Sequence, residues 1–163
     1  MEDDRIALLI VDDDTEFLEA TSMLLEARGL RVTAASSGAE AIRVAREQPL
    51  DVALVDLSMP GLDGEATLAA LKREHEWMEV VILTGLGSIE SAVNCAKGGA
   101  YSYLEKPCAL DRLLEVLQEA YSKRVMNRKQ LDAERLEEIL RLAQSGSPLS
   151  VLRRLKELDR EGT

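Results

Sequence analysis

Three carboxylates stand where apolar runs stop: Asp12 and Asp13 close Leu8 to Val11, and Asp56 closes Val52 to Val55. Short aliphatic runs separated by helical patterns read as parallel strands covered on both faces. Ligands of such sheets bind in the crevice at the strand carboxyl ends. The three acids are therefore expected at one edge of a sheet. Converging carboxylates repel unless a proton or cation intervenes, and hard oxygen donors with room for water suit Mg²⁺. Two further strand ends contribute: Thr84 closes Val80 to Leu83, and Lys106 follows Leu104 with Pro107 behind it. A carboxylate nucleophile, a metal, a hydroxyl and a fixed ammonium are the parts that phosphoryl transfer uses. Aspartyl phosphate chemistry is the leading expectation. Singly, each residue has a blander reading as a helix-start acid, a strand end or a turn; the set carries the chemistry.

The elements that must position these residues alternate. Ile6 to Val11 reads as a strand, and Thr15 to Arg28 as a helix with Phe17, Leu18, Thr21, Leu24 and Leu25 at helical spacing, stopped by Gly29. Arg31 to Ala35 is a second strand. Ser37 and Glu40 have the spacing of a capping box before a helix that ends short of Pro49. Asp51 to Val55 is a third strand, and the Pro-Gly and Asp-Gly pairs in Met59 to Gly64 make a loop before a helix with Leu68 and Leu71. Val80 to Leu83 is a fourth strand. Ser88 caps a short helix whose expected inner face is Ile89, Ala92, Val93 and Ala96. Tyr101 to Leu104 is a fifth strand, and Leu110 to about Val125 a fifth helix with Leu113, Leu114, Leu117 and Tyr121 on one face. Five strand-helix pairs imply an open, doubly wound α/β sheet.

Composition narrows the classes further. The chain has 163 residues, 46% of them hydrophobic, enough for one core and an appendage. Residues 1–120 hold 10 Lys/Arg against 23 Asp/Glu, whereas residues 121–163 hold 10 against 7, which sets a domain boundary near Tyr121. A net charge of −10 argues against direct DNA binding, whose affinity rests on phosphate neutralisation. Cys95 and Cys108 have neither zinc nor disulfide-framework spacing, pointing to a cytoplasmic protein. The acidic start and six-residue first apolar run fit neither a signal peptide nor a membrane span.

Val11-Asp12-Asp13, the Asp56 to Gly64 run, Leu83-Thr84-Gly85 and Tyr103-Leu-Glu-Lys106-Pro107 together resemble the signature of bacterial response-regulator receiver domains, over about residues 5 to 120. The resemblance implies a flavodoxin-like, five-stranded parallel sheet of order 2-1-3-4-5. It implies that Asp56 is the phosphoacceptor, supplied by a sensor histidine kinase or a histidine phosphotransfer protein. Asp13 and Asp56 would ligate Mg²⁺ with the Ser58 backbone carbonyl, and Asp12 would act mainly through water. Thr84 and Lys106 would contact the phosphoryl oxygens, and Thr84 and Tyr103 would form the switch. Ser58 and Leu86 would occupy the variable positions that tune phosphate lifetime, and Gly85 stands where alanine is commoner. Such a protein is a signalling switch that phosphorylates and slowly dephosphorylates itself, not a conventional enzyme. The style is closest to receivers of the nitrogen-regulation type, although no P-loop follows.

Beyond the receiver, Leu131 to Ala143 reads as helical with Leu136, Ile139, Leu140 and Ala143 on a stripe that breaks at Ser145-Gly146-Ser147-Pro148. A last segment holds Leu149, Leu152, Leu155 and Leu158. This C-terminal helical extension, residues 121–163, either covers its own domain or pairs with a downstream protein partner or a second copy in a homodimer. Two functional alternatives stand beside the phospho-switch: the receiver half of a truncated DNA-binding transcriptional regulator, and a receiver-like scaffold independent of phosphate.

Overall fold

The computed structural model describes residues 3–59, 61, 63–85, 87–146 and 148–161, and for residues 145, 159 and 161 the backbone alone. Met1, Glu2, Pro60, Leu62, Leu86 and Ser147, on which parts of the sequence reading fall, lie outside the described residues. The elements run β1 (Ala7–Val11), α1 (Thr15–Ala27), β2 (Arg31–Ala35), α2 (Gly38–Glu47), β3 (Val52–Val55), α3 (Gly64–Glu74), β4 (Glu79–Thr84), α4 (Ile89–Lys97), β5 (Ser102–Glu105), α5 (Leu110–Ser145) and α6 (Pro148–Glu161). Two compact units divide at Arg124 and Val125.

In the first unit all strand pairs are parallel and the order is β2-β1-β3-β4-β5, as expected. The aliphatic runs are continuous because both sheet faces are buried. Leu9, Val11, Ala53, Val55, Val80 and Ile82 pack into one cluster with residues of α2 and α3, while Leu8, Ile10, Val52, Leu54, Val81 and Leu83 pack with Leu18, Leu25, Leu113 and Leu117 of α1 and α5. A fully buried Leu or Ile contributes about 1.5–3 kcal/mol. Leu8, Leu9, Ile10, Leu54 and Ile82 are all exposed by no more than 2%.

The helix ends follow their local chemistry. Asp14 caps α1 by accepting from the Phe17 amide, and α1 stops at Gly29, whose φ of +91° suits a residue without a side chain. Ser37 caps α2 by accepting from the Glu40 amide, but the Glu40 carboxylate accepts from Ser36, at 2.9 Å from its amide and 3.0 Å from its hydroxyl. The box expected from Ser37 and Glu40 is therefore half formed. A full reciprocal box occurs at α4, between Ser88 and Ser91.

Two readings need correction. The expected inner face of α4 is turned outward: Ile89 is 87% and Val93 46% exposed, and Cys95 is the buried residue of the helix. The turn of the helix goes with a contact between Ser91 and Tyr103 of β5. The fifth helix does not end near Val125; Leu110–Ser145 is one helix of 36 residues, because residues 125–130 contain no Gly or Pro to stop it. Among the described residues no helix is long and apolar enough to cross a membrane.

Candidate functional site

The sheet order reverses between β1 and β3, with β2 on one side of β1 and β4 on the far side of β3, so a crevice opens where those two strands end. The register pairs Val11 with Val55, and the next residues are Asp12 and Asp56. Carboxylate oxygens of Asp12, Asp13 and Asp56 come within 4.8 Å of one another. Asp12 is 2% and Asp56 8% exposed, whereas Asp13 faces solvent. Lys106 completes the group: its Nζ lies 2.6 Å from Asp12 Oδ2 and 3.8 Å from Asp56 Oδ2.

Backbone amides hold the two buried acids. Asp12 Oδ1 accepts from the Asp14 amide at 2.9 Å, and Asp56 Oδ1 from the Ser58 amide at 3.3 Å. Burial pushes the Asp12 carboxyl above the usual carboxylate range, opposed by the Lys106 ammonium and the Asp14 amide and reinforced by the Asp56 charge. With all three acids ionised, one ammonium leaves two negative charges uncompensated in a cluster of hard oxygen donors. Those donors fit a divalent cation such as Mg²⁺.

Thr84 ends β4, is fully buried and accepts at its backbone oxygen from the Lys106 amide at 2.9 Å, so the neighbouring strand carries Lys106 to the same edge. Tyr103, on β5 and half-buried, is not gathered with the acids; its hydroxyl lies 3.0 Å from Ser91 Oγ. Ser91 is tied in turn to the Ser88 amide and carbonyl, each at 3.0 Å. The bond explains the turn of α4. With Ser91 held toward β5, Cys95 faces inward one turn on, and Ile89 and Val93 face out.

Sequence reasoning missed three contributors. Ser91 carries a signal, the Ser-x-x-Ser spacing from Ser88, but nothing in that spacing points to Tyr103. Phe17, read only as part of an apolar helix face, lies with its ring 3.9 Å below the Lys106 ammonium and restricts where that charge can go. Gly87 is the third, since a Cβ there would stand 2.4 Å from the Tyr103 hydroxyl oxygen. Gly87→Ala should therefore break the Ser91 bond and shift the Tyr103 ring resonances, while stability changes by no more than about 1 kcal/mol, the worth of one hydrogen bond. Ring resonances identical to wild type in a two-dimensional NMR spectrum would contradict this geometry.

Gly64, first residue of α3, makes a closer approach. Its Cβ would meet the Leu57 Cα at 2.4 Å and the Asp56 carbonyl oxygen at 2.5 Å, both backbone atoms beside the nucleophile candidate. Gly64→Ala should cost about 1–3 kcal/mol, as overpacking does. A urea midpoint equal to wild type would show that the α3 start moves away freely.

The chain matches, over residues 8–118, the family model described as Response regulator receiver domain. It is 40% identical over 119 residues to the acid tolerance regulatory protein ActR of Rhizobium meliloti, covering 73% of this chain and 61% of that protein. It is 39% identical over 116 residues to the transcriptional regulatory protein ZraR of Salmonella typhimurium, covering 71% of this chain and 26% of that one. The chain thus spans less than two thirds of either relative. Among solved structures, a CheY-like receiver domain protein from Methanospirillum hungatei superposes with a TM-score of 0.73 at 29% identity, covering 76% of this chain and 98% of its own.

Proposed function

The chain belongs to the response regulator receiver domain family, and we propose that it is a cytoplasmic, phosphorylation-activated switch of a two-component system whose phosphoacceptor is Asp56. One observation carries the assignment of the residue. Asp56 is a nearly buried carboxylate 3.8 Å from a fixed ammonium, within an acid cluster at the crevice of a doubly wound sheet. In the reaction a carboxylate oxygen of Asp56 attacks phosphorus, a P–O bond forms, and the P–N bond to the donor histidine breaks with its electron pair leaving on the imidazole. Asp12, Asp13 and Asp56, with the Ser58 carbonyl, would hold Mg²⁺, which when bound offsets the acid charge and draws in phosphoryl oxygens. The Lys106 ammonium and the Thr84 hydroxyl are the donors for those oxygens.

Signalling then runs through Thr84 and Tyr103. Phosphate engaging the Thr84 hydroxyl changes the space beside β5 and biases Tyr103 between its bond to Ser91 and an inward position, shifting a pre-existing equilibrium. The phosphodonor protein, a sensor histidine kinase or phosphotransfer protein, docks beside the site. An apolar groove of about 370 Å³ lined by Phe17, Thr21, Leu24, Leu83, Lys106 and Cys108 supports that placement, since it opens next to the ammonium. A downstream protein partner reads the face that carries Ile89, Val93 and Tyr103. The same residues would catalyse self-phosphorylation from small donors and slow hydrolysis.

The test is intact mass after incubation with acetyl phosphate, with and without Mg²⁺. A single phosphoryl adduct that depends on Mg²⁺ is expected. No adduct, under conditions that label a control receiver, would turn the reading toward a phosphate-independent scaffold.

A further inference from the structure

Asp12 and Phe17 take hold of the Lys106 ammonium from one short stretch of chain. Asp12 Oδ1 accepts from the Asp14 amide at 2.9 Å, and Asp14 Oδ1 accepts in turn from the Phe17 amide at 3.1 Å. Asp14 thereby caps α1 and also ties the backbone of Phe17 to the buried acid. Lys106 arrives from the end of β5, where its amide donates to the Thr84 carbonyl oxygen at 2.9 Å. Its Nζ then lies 2.6 Å from Asp12 Oδ2 and 3.9 Å from the centroid of the Phe17 ring. A lysine stem of four carbons is flexible, and this side chain is partly exposed, so the head group needs something to hold it.

We propose that Phe17 is a positioning residue for phosphoryl transfer, its ring face keeping the Lys106 ammonium where the phosphoryl oxygens are met. The proposal rests on the reading of Lys106 as a donor to those oxygens. Its reason lies in what a ring does not do. A carboxylate in the same place would add a fourth negative charge to a site where three acids already face one ammonium. Its oxygens would also occupy N–H groups that the phosphoryl oxygens require. A phenyl face attracts a cation through its quadrupole, yet it carries no formal charge and no lone pair. The hold is independent of Asp12 as well, whose charge the ammonium must share with any cation the acids bind. Packing makes no such demand, because Phe17 is half-buried at the edge of the cluster between the sheet, α1 and α5, where an aliphatic side chain is tolerated.

Phe17 is the sole phenylalanine of the chain, so biosynthetic replacement by mono-, di- or trifluorinated phenylalanine alters this ring and no other. Fluorine withdraws electron density from the ring face and leaves its shape nearly unchanged. The first measurement is the NMR shift of the Lys106 ε-methylene protons in the metal-free, unphosphorylated protein. A ring beneath the head group displaces them upfield, and Phe17→Leu should return them to the position of an exposed lysine. The second is the labelling rate from acetyl phosphate. Phe17→Leu should slow it about fivefold, the scale of one such contact. The fluorinated proteins should fall between wild type and the leucine variant in order of fluorine number, with melting temperatures level across the series. In a Lys106→Ala background the same ring changes should leave the rate unaltered, which a ring that only packed would not show.

A wild-type ε-methylene already at the exposed-lysine position would overturn the proposal. A rate indifferent to fluorine while wild type labels would do the same. Absence of label on every protein would overturn the phosphoacceptor reading and this proposal with it, a result set apart from the others by the missing wild-type adduct.

Discussion

Asp56→Asn should abolish the phosphoryl adduct completely while leaving the protein folded and no less stable than wild type. Asparagine matches aspartate in volume, and its amide oxygen can still accept from the Ser58 amide, so the 3.3 Å bond that holds the side chain survives. What disappears is the anionic oxygen that attacks phosphorus, and a neutral amide has no equivalent nucleophile. Stability should rise if it changes, because the substitution removes one of three carboxylates crowded within 4.8 Å. The gain should be largest without Mg²⁺ and shrink as the ion is added. Two measurements check this: intact mass after acetyl phosphate treatment, and a melting curve at several Mg²⁺ concentrations. An adduct on the asparagine variant would move the acceptor elsewhere, with Asp13, the exposed acid of the cluster, the first residue to test.

The sheet and the acid cluster were legible in the sequence for one physical reason. A strand buried on both faces must be aliphatic at every position, so its end is marked by the first residue that cannot be buried alone. Val11 to Asp12 and Val55 to Asp56 are such transitions, and the β1 to β3 register then makes the acids neighbours. Periodicity misled at α4, because the apolar set Ile89, Ala92, Val93 and Ala96 fits one helix face while the bond from Ser91 to Tyr103, 12 residues away, turns the helix to bury Cys95. A side-chain bond between distant residues leaves no local pattern. The same holds for Phe17 beneath Lys106, where an aromatic reads as core although its face is used by a charge. The length of α5 was hidden by composition, since the shift in charge near Tyr121 changes what a helix faces without ending it.

Lys106→Ala should move two quantities in opposite directions, slowing phosphorylation about a hundredfold while tightening Mg²⁺ binding roughly tenfold. The first follows from losing a preorganised donor for charge that develops on the transferring phosphoryl group, a loss that typically costs 10²–10³ in rate. The second follows from competition. Lys106 Nζ sits 2.6 Å from Asp12 Oδ2, so an ion that draws on the Asp12 charge must share it with the ammonium. Two unit charges about 4 Å apart interact by about 4 kcal/mol at an effective dielectric of 20, and Lys106 is 21% exposed, so solvent screens part of that. A residual of about 1.4 kcal/mol corresponds to a tenfold change. Lys106→Arg separates charge from shape: it should keep the wild-type metal affinity and recover only part of the rate, because a planar fork cannot occupy the place of a compact ammonium above Phe17. Calorimetric Mg²⁺ titration with the labelling rate from acetyl phosphate reads both effects. Weaker metal binding in the alanine variant would mean that Lys106 organises the acids rather than competing for them, and an unchanged labelling rate would remove it from the phosphoryl contacts.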